Sequence, residues 1–336
     1  MTETSAPVAA SSLRRGVFIF LVIAAAAALV VIAATASRDT LTGLRHLEWR
    51  WLAVTLGLWL VATVIDGARL SVISHIAGRP LSVFESAELI LIGYFMAAVT
   101  PFQAGGLPLQ LYLMNKRGIA PGEATAILLG RGLLYYAMVL LLGPLVALRL
   151  GMSSVLLRVV AGYAGVIVTV GTLVVLAGLV FPRVVERLAE NLRSKPETRV
   201  RRFLVRLLAE FGKFLAALRL ILGPGNRGRL LVAAVLTVAY GAAYFSMGAT
   251  LLAGLGLPVH GFKVIGIGLL LSAVLISIPT PGSSGIAEAG AAALYSYICP
   301  KPMLGIYVVL WRLASFYLGA MFGGLVTIRR LARSGR

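Results

Sequence analysis

Thr100-Pro101-Phe102-Gln103-Ala104-Gly105-Gly106 breaks an apolar run that extends from Ser86 to Met114, and Pro279-Thr280-Pro281-Gly282-Ser283-Ser284-Gly285 breaks a second from Phe262 to Ile298. Each flank is about 10 to 18 residues, short of the ~20 that a helix needs to cross the hydrocarbon core. Half-length helices joined by a Pro and Gly turn fit a re-entrant hairpin, which enters the bilayer and returns by the same face with its irregular backbone buried in protein. Around these two regions lie six unbroken apolar runs, 16–37, 51–77, 122–148, 154–181, 229–254 and 303–328. The expected fold is an all-α polytopic membrane protein of about six transmembrane helices plus two re-entrant hairpins.

Composition agrees. Hydrophobic residues make up 59% of the 336 and charged residues 13%, against roughly a quarter charged in soluble domains, and the mean hydropathy is +0.94. The net charge of +19 lies between the apolar runs, as positive-inside bias places it, so nucleic acid is not an expected partner. Segment 183–229 holds 12 Lys and Arg against four Glu and is assigned to the cytoplasm. Reading 86–114 as one crossing would export that segment. Reading it as a hairpin keeps the N-terminus, the basic segment and the tail inside, and leaves Arg38, Arg45, Arg50, Arg149, Arg158, Lys263 and Lys301 outside.

The resulting organisation is a cytoplasmic N-terminus (1–15), a first membrane repeat (16–149, hairpin 86–114), a second (150–328, with basic segment 183–229 and hairpin 262–299) and a basic cytoplasmic tail (329–336). The apolar run after Arg14-Arg15 ends in Ala34-Thr35-Ala36, like a signal-peptidase site, but exceeds the usual signal length and is read as a retained helix. Within 183–222 apolar positions recur at helical spacing among the arginines, which suits interfacial amphipathic helices resting on anionic phospholipid. Cys299 is the only cysteine, and His46, His75 and His260 are far apart. No disulfide, metal site or cofactor is expected.

The two halves match in spacing. Pro80 precedes Pro101 by 21 residues and Pro258 precedes Pro279 by 21, while Arg131 follows Pro101 by 30 and Arg312 follows Pro281 by 31. Each half reads span, span, hairpin, span. An odd number of crossings inverts the second half relative to the first, an arrangement that recurs in transporters.

Glu288, inside the second hairpin, is costly at membrane depth and needs a partner or a wet cavity; Arg131 and Arg312 are the candidates. The group reads equally as a brace and as a substrate contact. The helix N-termini at Gly105-Gly106 and Gly285, with Gly282, Gln103, Gln110, Ser283 and Ser284 as donors, suit an anion such as a lipid phosphate, although Pro and Gly also simply make turns. Asp66, assigned near the end of the second span, and Arg69 are three apart and expected to form a structural pair. Tyr135, Tyr136, Tyr240, Tyr244, Tyr295, Tyr297 and Tyr317 could line a wet path, but most read as interfacial anchors. No nucleophile and base pair or phosphate loop is present, so the expectation is that the protein is not an enzyme.

At Thr100-Pro101 through Gly105-Gly106, Tyr112 to Lys116, Gly118 and Arg131, and at Pro279 to Gly285, Glu288, Arg312 and Tyr317, the sequence resembles the flippase-like transmembrane family that includes the membrane domain of lysylphosphatidylglycerol synthases. The resemblance runs from about residue 50 to 328. It implies a lipid-translocation domain, moving aminoacylated, otherwise charged or polyprenyl-linked lipids between two hairpins, whose Gly, Pro, Glu and Arg positions fall on the residues just quoted. No aminoacyl-transfer domain follows the sixth span, so lipid aminoacylation is not expected. The combined expectation is an inner-membrane protein of bacterial type that moves an amphipathic, anionic or phosphate-bearing lipid. With no ATP site, movement would be passive or ion-coupled, with Glu288 as a candidate proton carrier. The alternative is a non-catalytic subunit scaffolding a lipid- or glycan-modifying enzyme through segment 183–229.

Overall fold

The computed structural model describes residues 47–100, 105–149, 218–275, 278 and 280–334, with scattered helical positions between 162 and 216. The expected first span (16–37), most of segments 154–181 and 183–217, the turn residues Pro101 to Ala104 including Gln103, and Pro279 lie outside the described residues.

The described chain is helical, without strands. Helix α1 spans Trp49–Ile76, α2 Val83–Val99, α3 Gly106–Asn115, α4 Pro121–Arg149, α5 Arg227–Gly254, α6 Gly261–Leu275, α7 Ile286–Tyr295, α8 Lys301–Arg312 and α9 Leu318–Ser334. The uninterrupted runs form long helices: α1, α4 and α5 coincide with 51–77, 122–148 and 229–254 to within a few residues. The last run is continuous but not uniform, because α8 and α9 join through a π turn at Leu313–Tyr317. Among the described residues, Trp49–Ile76, Pro224–Gly254 and Lys301–Arg330 are long and apolar enough to cross a membrane. Leu60, Val61 and Val64 on α1, Val232 and Val235 on α5, and Leu325 and Ile328 on α9 face outward, as lipid-facing side chains do in a membrane protein.

Helix boundaries follow local chemistry. Ser82 caps α2: its hydroxyl accepts from the Glu85 backbone N–H at 3.2 Å, and the Glu85 carboxylate accepts from the Ser82 backbone N–H at 2.9 Å, a reciprocal capping box. Gly78 ends α1 at φ +71°, a left-handed conformation that glycine enters without a Cβ penalty, while Arg79 N–H donates to the Ser74 carbonyl.

Paired contacts fix the direction of each helix. Along α1 and α5, Glu48 N–H meets the Gly254 carbonyl at 2.9 Å, the Thr55 and Thr250 hydroxyls meet at 2.7 Å, and Arg69 reaches Thr237 at 3.0 Å, so the two run antiparallel. In α2 and α3 the Gln110 amide donates to the Leu89 carbonyl at 2.7 Å, and Arg117, just beyond α3, pairs with Glu85 at 3.0 Å. The start of α2 and the end of α3 therefore lie side by side. Helix α9 runs back along α2: Gly319 faces Tyr94, Gly323 lies against the Leu91 carbonyl, and Arg330 pairs with Glu88. A Cβ on Gly323 would overlap that carbonyl, a close backbone approach typical of small residues between membrane helices.

The core has two main parts. Leu70, Ile73, Ile90, Met114 and Ile127 join α1 to α2, α3 and α4, with Leu218 and Ile221 packed alongside. Trp59, Met247, Leu251, Leu271, Tyr295, Tyr307 and Val308 join α1 to α5 through α8. Between them α4, α5 and α6 touch through Met138, Val139, Phe245 and Leu269.

Candidate functional site

Asp66 lies well inside α1 and one turn from Arg69, and both side chains are 1% exposed. The expected pair forms, with Arg69 Nη1 donating to Asp66 Oδ1 at 2.7 Å, but in the interior rather than near a span end. Arg69 uses its other donors on the Thr237 hydroxyl and the Arg131 carbonyl (3.1 Å), and its guanidinium lies over the Tyr240 ring at 4.9 Å. Gly67 makes room for this geometry, because a Cβ there would come within 2.7 Å of the Val83 carbonyl at the start of α2.

The second oxygen of Asp66 accepts from Arg131 Nη1 on α4 at 2.5 Å and from the Tyr94 hydroxyl on α2 at 3.3 Å. One carboxylate thus serves two arginines. Sequence spacing makes Arg131 a candidate partner of Glu288; its partner is instead Asp66, which α1 brings in across the bundle. Arg131 Nε is buried with no hydrogen-bond partner.

Glu288 and Arg312 do meet. Arg312 Nε donates to Glu288 Oε1 at 3.0 Å, with side chains 4% and 1% exposed. The same oxygen accepts from the Tyr317 hydroxyl at 2.9 Å, and Oε2 accepts from Gly285 N–H at 2.6 Å. Arg312 also donates through Nη2 to the Gly282 carbonyl and stacks on Phe316 at 4.4 Å. Proline and glycine build the turn that makes this possible: Gly282 and Ser283 are both left-handed, at φ 59° and 55°, and the Ser283 hydroxyl donates to the Leu275 carbonyl at 2.7 Å. Glu288 therefore ties the hairpin turn to α8 and the π turn.

The two arginine centres face one cavity of about 290 Å3. Its wall comprises Asp66, Arg69, Tyr94, Arg131, Gly132, Tyr135, Tyr136, Tyr240, Tyr244, Ser272, Leu275, Gly282, Ser283, Arg312, Ser315 and Phe316. The π turn presents Ser315 and Phe316 there, and the Tyr244 hydroxyl donates to the Ser315 carbonyl at 3.0 Å. Single π turns inside α-helices recur at functional sites.

Of the residues expected at the site, Arg131, Arg312, Gly282 and Ser283 line this cavity. Glu288, Gln110, Gly105, Gly106, Ser284 and Gly285 stand outside its wall, and Gln103 is outside the described residues. Gln110 clamps the first hairpin, so close to Gly93 that a Cβ on that glycine would come within 2.5 Å of its amide nitrogen. Two of the N–H groups expected to await an anion are taken by protein atoms: Gly105 N–H donates to the Thr100 hydroxyl at 2.9 Å, and Gly285 N–H to Glu288. Four of the tyrosines that could line a wet path, Tyr135, Tyr136, Tyr240 and Tyr244, are wall residues; Tyr295 packs on Tyr307 at 4.9 Å, Tyr317 serves Glu288, and Tyr297 is exposed. Sequence reasoning missed Tyr94, Ser272, Ser315 and Phe316. Ser315 and Phe316, three and four residues after Arg312, carry a helical-spacing signal that links them to a chosen residue; Tyr94 and Ser272 carry none.

The family model for the lysylphosphatidylglycerol synthase TM region matches residues 17–323. The chain belongs to this family. A UPF0104 membrane protein of Archaeoglobus fulgidus is 26% identical over 312 residues, covering 89% of this chain and 92% of the relative. No solved structure matches. With several apolar helices long enough to cross a membrane and this family match, the chain is a multi-pass membrane protein, and its cavity residues from Asp66 to Phe316 all fall inside the matched region.

Proposed function

We propose that the protein moves a phosphate-bearing amphipathic lipid across the membrane, with the cavity between the two arginine centres taking the headgroup. The observation that carries this reading is the cavity itself: three arginines from α1, α4 and α8 around a space walled by tyrosines, within a bundle of long apolar helices. Charged groups there are expensive and mark substrate paths by default. Arginine supplies a planar fork of donors suited to phosphate and stays charged.

Direction of the helices supports re-entrant hairpins and an inverted repeat. The end of α1, start of α2, end of α3, start of α4 and end of α9 gather at one level through the pairs Arg79–Glu123, Arg117–Glu85 and Arg330–Glu88. The α6–α7 hairpin begins beyond the opposite end of α5, where Gly254 meets Glu48. The hairpins then enter from opposite faces. In this reading the basic segment preceding α5 and both termini lie on the side of the first face, the cytoplasmic side of an inner membrane, as the positive-inside bias favours. Transport is uncatalysed by covalent chemistry in this reading, and the protein is not an enzyme.

The test is leaflet exchange of acyl-chain-labelled phospholipids in proteoliposomes, read by an impermeant quencher. Protein-dependent exchange that falls in Arg131→Ala and Arg312→Ala supports the reading; no exchange of any lipid, or equal exchange in all three proteins, contradicts it. Topology follows from single cysteines in a Cys299→Ser background: Ser82→Cys and Lys116→Cys label from the cytoplasmic side and Tyr297→Cys from the other.

A further inference from the structure

Counting charges around the cavity gives an unbalanced result. Among the described residues, Asp66, Arg69, Arg131 and Arg312 are the ionisable wall groups apart from tyrosines, and Glu288 sits directly behind Arg312. Glu288 offsets Arg312. Asp66 offsets one of the two arginines that share it. One positive charge is left, and the donors show where: Arg69 spends its guanidinium on Asp66, Thr237 and the Arg131 carbonyl, and Arg312 spends its on Glu288 and Gly282. Arg131 has the buried, partnerless Nε. The Ser315 hydroxyl, also on the wall, is likewise buried without a partner.

A buried charge without a counter-charge is strongly unfavourable, and a buried donor without an acceptor adds to it. An anionic group in the cavity supplies the missing counter-charge at the exposed side of the Arg131 guanidinium, whose side chain is 23% accessible; Nε and the Ser315 hydroxyl are themselves closed off from the cavity. A cavity of about 290 Å3 has room for a phosphodiester with a small polar substituent. An added ammonium finds no free carboxylate here, since the one carboxylate among the described wall residues already serves two arginines, and the tyrosine rings offer it cation–π contact only.

Resting on the transport reading above, we infer that the site takes a small-headgroup phosphodiester lipid of one net negative charge, with Arg131 as the phosphate ligand, and rejects zwitterionic and aminoacylated lipids. The last point separates this cavity from the aminoacylated cargo that the family's name suggests. The selectivity is electrostatic: a zwitterion or a cation brings its own positive charge into a space that already holds one too many.

The experiment compares acyl-labelled phosphatidylglycerol, phosphatidylethanolamine and lysyl-phosphatidylglycerol in proteoliposomes of the full chain, alongside thermal shifts of the detergent-solubilised protein with the dioctanoyl forms of the same lipids. Phosphatidylglycerol should exchange about tenfold or more faster than the other two and give the largest stabilising shift. Arg131→Gln should flatten both preferences, and Arg131→Lys, which keeps the charge, should retain the order of preference at a lower rate. Equal rates for the three lipids, or fastest exchange of the lysyl lipid, overturn the inference and leave transport standing. Where no lipid exchanges, the transport reading falls, and the shifts still decide: preference for the anionic lipid supports the charge assignment, and none overturns it. Should Arg131→Gln fail to fold, the lipid comparison on wild type and Arg131→Lys carries the same decision.

Discussion

The two halves of the molecule hold an arginine at matching distances from a Pro and Gly break, yet the arginines live in different chemistry. Arg312 is closed: Glu288, Gly282 and Phe316 occupy it, and all three come from the same half. Arg131 is open: it shares Asp66 with Arg69, and its side chain is 23% exposed against 4% for Arg312. The difference comes from where the carboxylate sits. In the second half it lies in the hairpin, three residues after Gly285; three residues after Gly105 the first hairpin has Pro108, and the carboxylate comes from α1 instead. Equivalent positions in a chain thus need not be equivalent sites. A saturated ion pair braces, while an under-satisfied one is available to a ligand.

The largest expected effect separates the two centres. Glu288→Gln leaves Arg312 buried beside a neutral amide and should cost about 3–5 kcal/mol, the range for breaking a buried ion pair by removing one partner. It is read as a large drop in melting temperature of the detergent-solubilised protein or as loss of folded yield. Arg131→Gln removes the surplus charge and should melt close to wild type while losing lipid exchange. If the two variants destabilise equally, the contrast between a closed and an open centre is broken.

Much of the fold is legible in the amino-acid sequence. The long helices announce themselves by uninterrupted apolar length, and the breaks by Pro and Gly, because a bilayer requires every backbone group to be satisfied within the segment. The Asp66–Arg69 and Glu288–Arg312 pairs are readable from spacing and cost. The partner of Arg131 is not, since it depends on how α1 and α4 rotate about their axes, which hydropathy does not fix. Tyrosines mislead for the same reason: at a span end the residue reads as an interfacial anchor, and only the packing of α2, α4 and α5 turns Tyr94, Tyr135 and Tyr240 toward one space. The π turn after Arg312 has no sequence signal at all.

The hairpins differ in support as well. Helix α9 presses on the first hairpin through Gly319 and Gly323. Gly323→Ala forces a Cβ onto the Leu91 carbonyl and should cost about 1–3 kcal/mol through overpacking. Gly290, on the second hairpin, leaves a Cβ 3.3 Å from the flexible end of Leu271; Gly290→Ala should cost less than Gly323→Ala in the same melting assay. A reversed order would mean that α9 does not hold the first hairpin.

The smallest effect lies at the membrane surface, where the first hairpin is capped. Ser82→Ala should cost about 1 kcal/mol. Hydrogen bonding from the Ser82 backbone N–H holds the Glu85 carboxyl below its usual pKa. A lowered folded pKa makes the contribution full above the unfolded carboxylate value of about 4.3 and lost as pH falls through the lower folded value. An acid titration should therefore show the difference between wild type and Glu85→Gln shrinking below about pH 4. Because Glu85 is exposed, the change should stay within a few tenths of a kcal/mol.

The most direct test of the central claim places a reporter on the cavity wall. Ser272→Cys in a Cys299→Ser background should react with a water-soluble thiosulfonate, since Ser272 is a half-buried wall residue, and dioctanoyl phosphatidylglycerol should slow that reaction while dioctanoyl phosphatidylethanolamine leaves it unchanged. A thiol that never reacts, or one whose rate ignores both lipids, would contradict a lipid-headgroup site between Arg131 and Arg312.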